Sequence, residues 1–272
     1  MRCLLLGSEG FLGKALQVKL NTIPHMEIVK YDLTLGLDIL DDYQLVKHMM
    51  DVDVVFHLAG ETGVPRSWFD PYIYYQNNTL GSAHVFRRAR ELGKKVIYAS
   101  TGEVYVENSP YAASKKGAES AGLSELHKGA DIVFLRILNP FGPGQPEYYI
   151  IPKFLKLAQR GEPITIHGTG EQRKDYIYVD DITEAFWRAR ELPAGAISDL
   201  GIRETQSIKE IAEKIIELTN SKSEIVYVDS PRLGEKSTLE GNMEQLFSIG
   251  WIPNYNFDEG LRRTMEVQNV QV

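Results

Sequence analysis

The chain has 272 residues, 43% hydrophobic and 25% charged, enough to build one large α/β domain or a domain with a small lobe. A formal net charge of −7 without any basic tract excludes the electrostatic footprint of a nucleic-acid or anionic-membrane binder. The lone cysteine, Cys3, excludes an internal disulfide and suits a reducing, cytoplasmic compartment.

In chain order, the opening apolar run stops at Gly7, too short for a signal core or a membrane span. It is predicted as a buried strand at 3–6, followed by a helix at 11–20 and a second strand at 27–31 that ends at Asp32. A helix at 41–50, a strand at 52–58, a long helix at 72–92 and a strand at 95–99 follow. A helix bearing Tyr111 and Lys115 then runs to about 128, and a strand occupies 131–137. This alternation predicts a Rossmann-type, doubly wound parallel sheet. After Leu138 the texture changes to proline- and glycine-rich segments. There, helices are expected at 152–160, 207–218 and 243–249, and strands at 164–167, 176–179 and 225–228. The expected organisation is a nucleotide-binding domain at 1–138, with a returning segment near 176–206. A smaller, interleaved C-terminal substrate lobe would be built mainly from 139–272.

Two local patterns carry chemistry. Gly7-Ser-Glu-Gly10-Phe-Leu-Gly13 joins a strand to a helix start. Gly7 permits the tight turn, Gly10 lets backbone amides approach a pyrophosphate, and Gly13 lets the helix pack on the strand. Asp32 closes the next strand, where a carboxylate binds an adenosine ribose and repels a 2′-phosphate, favouring NAD over NADP. Asp38, beside Ile39, is placed either to accept from the adenine amino group or to cap the helix at 41–50. Further on, Tyr111-Ala-Ala-Ser-Lys115 sets a phenol and an ammonium on one helix face. A neighbouring positive charge lowers a tyrosine pKa from its ordinary value of about 10 and makes the phenol usable as a base. The six histidines are scattered without metal-ligand spacing, so no metal is expected.

Together these residues resemble the extended short-chain dehydrogenase/reductase family, specifically its NAD-dependent nucleotide-sugar epimerases and dehydratases, over nearly the whole chain. The glycine loop has that family's spacing. His57-Leu-Ala-Gly60, Asn78-Thr-Leu-Gly81 and Ala99-Ser-Thr101-Gly-Glu103-Val-Tyr105 resemble its next motifs in order. Arg136-Ile-Leu-Asn139-Pro-Phe-Gly142-Pro and the stretch from Gly168 to Asp181 are similar to segments of its sugar-nucleotide lobe. The resemblance implies that Tyr111 removes a hydroxyl proton while hydride leaves for NAD, that Lys115 assists it and binds the nicotinamide ribose, and that Thr101 bonds the reacting hydroxyl. It implies a cofactor cradle of Gly7, Gly10, Phe11, Leu12, Gly13, Asp32, Asp38, Ile39, Leu58, Ala59, Gly60, Asn78, Ser100, Tyr111, Lys115 and Asn139. Asn139, Arg173, Lys174 and Arg232 would hold the substrate, a nucleotide-diphosphate sugar, and a homodimer is implied as well.

Three departures bear on the reaction. Gly102 stands where 4,6-dehydratases carry an aspartate acid, whereas Glu103 is kept and 4-epimerases have small uncharged residues there. Glu103 therefore points to dehydration or decarboxylation as alternatives to epimerisation, or is a solvated residue or an ion-pair partner. Only 106–110 separate Tyr105 from Tyr111, where relatives carry a longer loop. Lys174 replaces the arginine usual before Asp175, and lysine lacks the bidentate fork. A non-catalytic NAD-binding regulator and a simple NAD-dependent dehydrogenase are the readings from other classes.

Overall fold

The computed structural model describes residues 1–106, 108–229 and 241–270. The strands are β1 Arg2–Leu6, β2 Glu27–Tyr31, β3 Val54–His57, β4 Lys95–Thr101, β5 Asp131–Ile137, β6 Asn139–Phe141, β7 Ile164–His167, β8 Arg173–Tyr178, β9 Ile197–Leu200, β10 Thr205–Ser207 and β11 Ile225–Val228. Six of them form one sheet in the order β2-β1-β3-β4-β5-β9, with every pairing parallel. Such a sheet must be covered on both faces, so its central strands are buried along most of their length; Val54–His57 is buried throughout. The chain leaves β1 to one side for β2 and to the other for β3. The carboxyl ends of β1 and β3 therefore flank the switch point at which open α/β sheets bind ligands.

The chain divides into two compact units. The first comprises 1–137, 182–200 and 241–252, and the second 138–181, 201–240 and 253–272. The first has a core of Leu4, Leu6, Tyr31, Val55, Val85, Phe86, Tyr98 and Phe134, among others. In the second, β10-β8-β6 and β11-β7 form two small sheets, and Phe141, Tyr176, Tyr178 and Phe257 pack edge to face or tilted, with ring centroids 5.3 to 6.4 Å apart.

Several predicted elements change. The long helix expected at 72–92 is three joined pieces: Pro71–Tyr74, a wide π-helical stretch Tyr75–Gly81, and Ser82–Glu91. The wide turns break the 3.6-residue repeat, so Ile73, Leu80, Val85 and Phe86, expected along one apolar stripe of a regular helix, do not stay on one face. Val85 and Phe86 are fully buried, whereas Leu80 is 61% exposed. The helix expected at 41–50 is Asp42–Met49, and its cap is Asp41, which accepts from the Gln44 amide; Asp38 does not cap it. The strand expected at 176–179 begins at Arg173, since pairing with β10 extends it. Strands β6, β9 and β10 and helices Val64–Ser67, Val179–Arg188 and Phe257–Val270 were not anticipated. The strands among them have three or four residues, too few to show a period.

Candidate active site

The glycine loop is built by sterics. Gly7 has φ +83°, and a Cβ there would lie 2.6 Å from the Ala59 nitrogen; one on Gly13 would lie 2.0 Å from the Gly7 carbonyl oxygen. Gly10 differs: its nearest neighbour would be the Gly7 oxygen at 3.5 Å, so chain packing does not require glycine there. Gly10 caps Phe11–Asn21 without a side-chain bond, and the first turn holds no acidic residue. The amides at Phe11 and Leu12 therefore face an anion-ready helix end.

Asp32 binds this loop to β2. One carboxylate oxygen accepts from the Glu9 amide at 2.9 Å, and the other from the amide (2.9 Å) and hydroxyl (2.8 Å) of Thr34. A carboxylate has about four acceptor positions, so one is left for a ribose hydroxyl. Asp38 accepts from the Leu40 amide, and Ile39 is buried, its side chain filling the space beside Gly81. Leu58 continues the ladder by donating to Leu6, and Ala59 lies against Gly7. Asn78 is fully buried: its oxygen accepts from the Glu61 amide, and its nitrogen donates to the Glu61 carbonyl and the Ser114 hydroxyl. It touches Gly60 closely enough to forbid a Cβ there. Open helix amides, a glycine that packing does not demand and a partly free carboxylate together fit a dinucleotide pyrophosphate and its ribose.

Beyond β4 the chain makes a tight turn, Gly102–Tyr105, capped by the Thr101 hydroxyl, which accepts from the Glu103 amide at 3.3 Å. Thr101 is buried at the sheet's carboxyl edge. Glu103 is half-buried, and no described residue pairs with its carboxylate. Ser109 caps the next helix, Pro110–Leu126, by accepting from the Ala112 amide, and Pro110 takes the first helical position, where its missing N–H costs nothing. Tyr111 thus sits in the first turn, where the helix dipole favours negative charge. Its ring packs edge-on against Tyr74, 6.2 Å between centroids.

Lys115 is buried, its ammonium donating to the Ala99 carbonyl at 2.5 Å and lying 4.4 Å from the centre of the Tyr98 ring. Burial pulls its pKa down from the usual lysine value to about 7, opposed by the nearby Glu119 carboxylate. His57, buried beneath it, bonds Ser82 at 3.0 Å and is pushed down to about 3, first by burial and then by Lys115, so it stays neutral. Because the unfolded chain holds the lysine proton up to the ordinary value, the burial of Lys115 costs most stability below pH 7, and that cost is relieved as pH climbs through 7 towards 10. Denaturant titrations of the cofactor-free protein are expected to gain up to about 1.4 kcal/mol per pH unit in that window, a slope that Lys115→Met flattens.

Sequence reasoning missed the polar set behind these groups. Glu119 is 2% exposed and accepts from Ser100 at 2.6 Å. Arg136 grips it with two bonds, 2.9 and 2.7 Å, which hold the guanidinium well above its usual range. Ser100 therefore faces Glu119 in its hydrogen bonding. Among the described residues no group of acidic, histidine or cysteine side chains could hold a metal ion, and no helix is long and apolar enough to cross a membrane.

The second unit carries the remaining predicted residues. Asn139 donates to the Asp175 carbonyl at 2.8 Å. Arg173 is exposed and turned onto Thr205 and Glu210, whereas Lys174, on the other face of β8, has no charged or hydrogen-bonding partner among the described residues. Arg232 lies outside the described residues. A small groove in this unit is lined by Tyr148, Ile150, Lys153, Phe154, Ile166 and His167, among others. Asp175, buried and raised to about 6 by desolvation, accepts from the amides of Ile202 and Arg203 and so holds the turn after Gly201.

A family model, NAD dependent epimerase/dehydratase, matches residues 3–200. The chain is 32% identical over 257 residues to a mouse dTDP-D-glucose 4,6-dehydratase, covering 84% of this chain and 72% of that protein. It is 28% identical to a UDP-N-acetyl-alpha-D-glucosaminuronate decarboxylase of Bacillus cytotoxicus, covering 97% of both. Among solved structures, UDP-glucose 4-epimerase of Thermotoga maritima with UDP-glucose superimposes with a TM-score of 0.91 at 26% identity, over 100% of this chain and 99% of that one. The Thermus thermophilus UDP-glucose 4-epimerase complex with NAD gives 0.89 at 25%, over 100% of both chains.

Proposed function

The chain belongs to the NAD dependent epimerase/dehydratase family, and on that premise we propose that it converts a nucleotide-diphosphate sugar through a transient keto-sugar. Tyr111 is the base in this reading. What carries it is the buried Lys115 one helical turn from Tyr111, bonded to Ala99 two residues before Thr101.

Gly7, Gly10, Gly13, Asp32 and the amides of Phe11 and Leu12 would hold NAD, with Leu58, Ala59 and Gly60 along its side. When bound, NAD supplies an acceptor for hydride. Tyr111 takes the proton from a sugar hydroxyl, helped by its place in the first helical turn. Thr101 offers a hydroxyl to the same oxygen. Lys115, one helical turn away on the same face, would favour a phenolate when it is protonated. Lys174 and Asn139 are the candidates for the diphosphate end of the substrate.

The half-buried carboxylate of Glu103, which has no partner among the described residues, supports a second reading, dehydration or decarboxylation, in place of 4-epimerisation. Incubation with UDP- and dTDP-hexoses and UDP-uronic acids, followed by NMR of the products, separates the three. Retained hexose with inverted C4 means epimerisation, loss of water means dehydration, and release of carbon dioxide means decarboxylation; no turnover of any of them sinks the proposal. Under the second reading, Glu103→Gln is expected to lower product formation by roughly 10²–10⁴-fold. An unchanged rate would assign Glu103 to solvent.

A homodimer is also proposed. Trp68, Phe69, Tyr72, Tyr75 and Leu80 fall within thirteen positions of the chain and are 42–89% exposed, large apolar side chains of the kind that an interface between copies covers. The single thiol, Cys3, is buried, in keeping with a cytoplasmic protein.

A further inference from the structure

Three polar side chains form a row across the parallel sheet. Ser100 of β4 is the register partner of Arg136 in β5, and Arg136 is the partner of Asp199 in β9. Register partners in a parallel sheet point to the same face, so the three stand side by side. Ser100 is 3% exposed and Asp199 2%. Two residues outside the sheet cover the row. Glu119, from the helix that carries Tyr111 and Lys115, joins Ser100 to Arg136. Tyr105, the last residue of the turn that carries Glu103, joins Arg136 to Asp199: its hydroxyl accepts from Arg136 Nη1 at 2.8 Å and reaches both Asp199 oxygens at 3.0 Å. The Arg136 guanidinium also lies 4.7 Å from the centre of the Tyr105 ring.

We propose that Tyr105, Arg136 and Glu119 form a clamp that fixes the Thr101–Glu103 turn against the helix bearing Tyr111 and Lys115, with Tyr105 as its positioning residue. The proposal rests on the reading of Thr101, Glu103 and Tyr111 as reacting groups. The segment is a single 3-10 turn seated by the buried Val104 side chain, and its last backbone bond runs from the Val106 amide to the Glu103 carbonyl at 3.0 Å. Both of its ends are tied to one ion pair: Ser100 on the near side bonds Glu119, and Tyr105 on the far side bonds Arg136. The circuit closes through the Glu119–Arg136 bridge. A displacement of the turn must therefore break a charge-assisted bond. Asp199 is held in turn by the Asn242 amide at 2.6 Å, which fixes the outer end of the row.

Tyr105→Phe tests this, because it keeps the ring on the guanidinium and deletes only the hydroxyl. Amide hydrogen exchange on the full-length protein is expected to accelerate by about tenfold or more at residues 103–106, with no change across 112–126 or 131–137. In the proposed nucleotide-sugar conversion, kcat is expected to fall roughly 10- to 100-fold with KM within about twofold. Arg136→Lys, which keeps the charge and loses the fork, is expected to reproduce the exchange pattern. Unchanged exchange at 103–106 overturns the clamp, as does acceleration spread equally over all three segments, which marks a merely structural role. Should the native protein turn over no nucleotide sugar, the functional reading fails by itself, and the exchange pattern still decides the clamp.

Discussion

Tyr111→Phe is expected to lower kcat by roughly 10²–10⁴-fold, the usual contribution of a positioned acid–base group. The phenol is the proton acceptor in the proposed reaction, and a phenylalanine keeps the edge-on packing against Tyr74 that seats the ring. The backbone cap is untouched as well, because the Ala112 amide is bound by Ser109 and the Tyr111 carbonyl by the Ser114 hydroxyl. The variant should thus fold, bind NAD and bind sugar nucleotide with affinities near those of the native protein, as followed by fluorescence titration. A variant that keeps its activity would return the assignment of the base to Glu103 or Thr101. A native protein that binds both ligands and transforms neither would favour the regulatory reading, in which the cradle survives without chemistry.

Gly13→Ala is expected to have the other large effect, on folding and cofactor retention together. The added methyl would stand 2.0 Å from the Gly7 carbonyl oxygen and 2.8 Å from the Ser8 carbonyl, all backbone atoms that have no rotamer to change. Either the helix Phe11–Asn21 moves off β1 or the loop opens. Overpacking of this kind costs about 1–3 kcal/mol or more, and a displaced loop no longer presents its amides to a pyrophosphate. Gly10→Ala supplies the control. Its methyl meets nothing closer than 3.5 Å, so denaturation should be unaffected while NAD affinity drops, since the methyl projects where the phosphates must approach. Calorimetric unfolding and NAD titration of both variants measure this. Equal loss of stability in both, or full NAD affinity in Gly10→Ala, would contradict the assignment of the cradle.

Much of this was legible from spacing alone. A strand, a glycine loop and a helix can be read from Leu4 to Leu20 because each glycine has a local reason, and Asp32 follows because a strand must end somewhere near a ribose. Tyr111 and Lys115 share a helix face by periodicity. The expectation set the ammonium beside the phenol. Its bond to Ala99 and its approach to the Tyr98 ring depend on which strand the helix crosses, and no spacing foretold them. The helix expected at 72–92 was misread as regular because nothing in its composition marks a π-helical stretch; the buried Asn78 amide, tied to Glu61 and Ser114, occupies that stretch. Arg173 illustrates the limit for a charged residue: the motif suggests a phosphate, and the structure turns its guanidinium to Thr205 and Glu210, thirty or more positions away in the chain.

The sequence by itself determined the family, the parallel α/β class, the glycine turn between β1 and the first helix, and the placing of Tyr111 and Lys115 on one helix, since all of these depend on residues within a few turns or a few tens of positions. Tertiary structure alone decided the environment that makes those groups useful. Lys115 titrates near neutrality because it is buried, and burial is a property of the packed sheet and helix. Ser100, Arg136 and Asp199 become one row only when β4, β5 and β9 pair in their observed register, across separations of 36 and 63 residues. A one-residue slip in either pairing would point one of them to the opposite face, because side chains alternate along a strand. Local chemistry is written in spacing, whereas the charge and position of that chemistry are set by contacts that no spacing encodes.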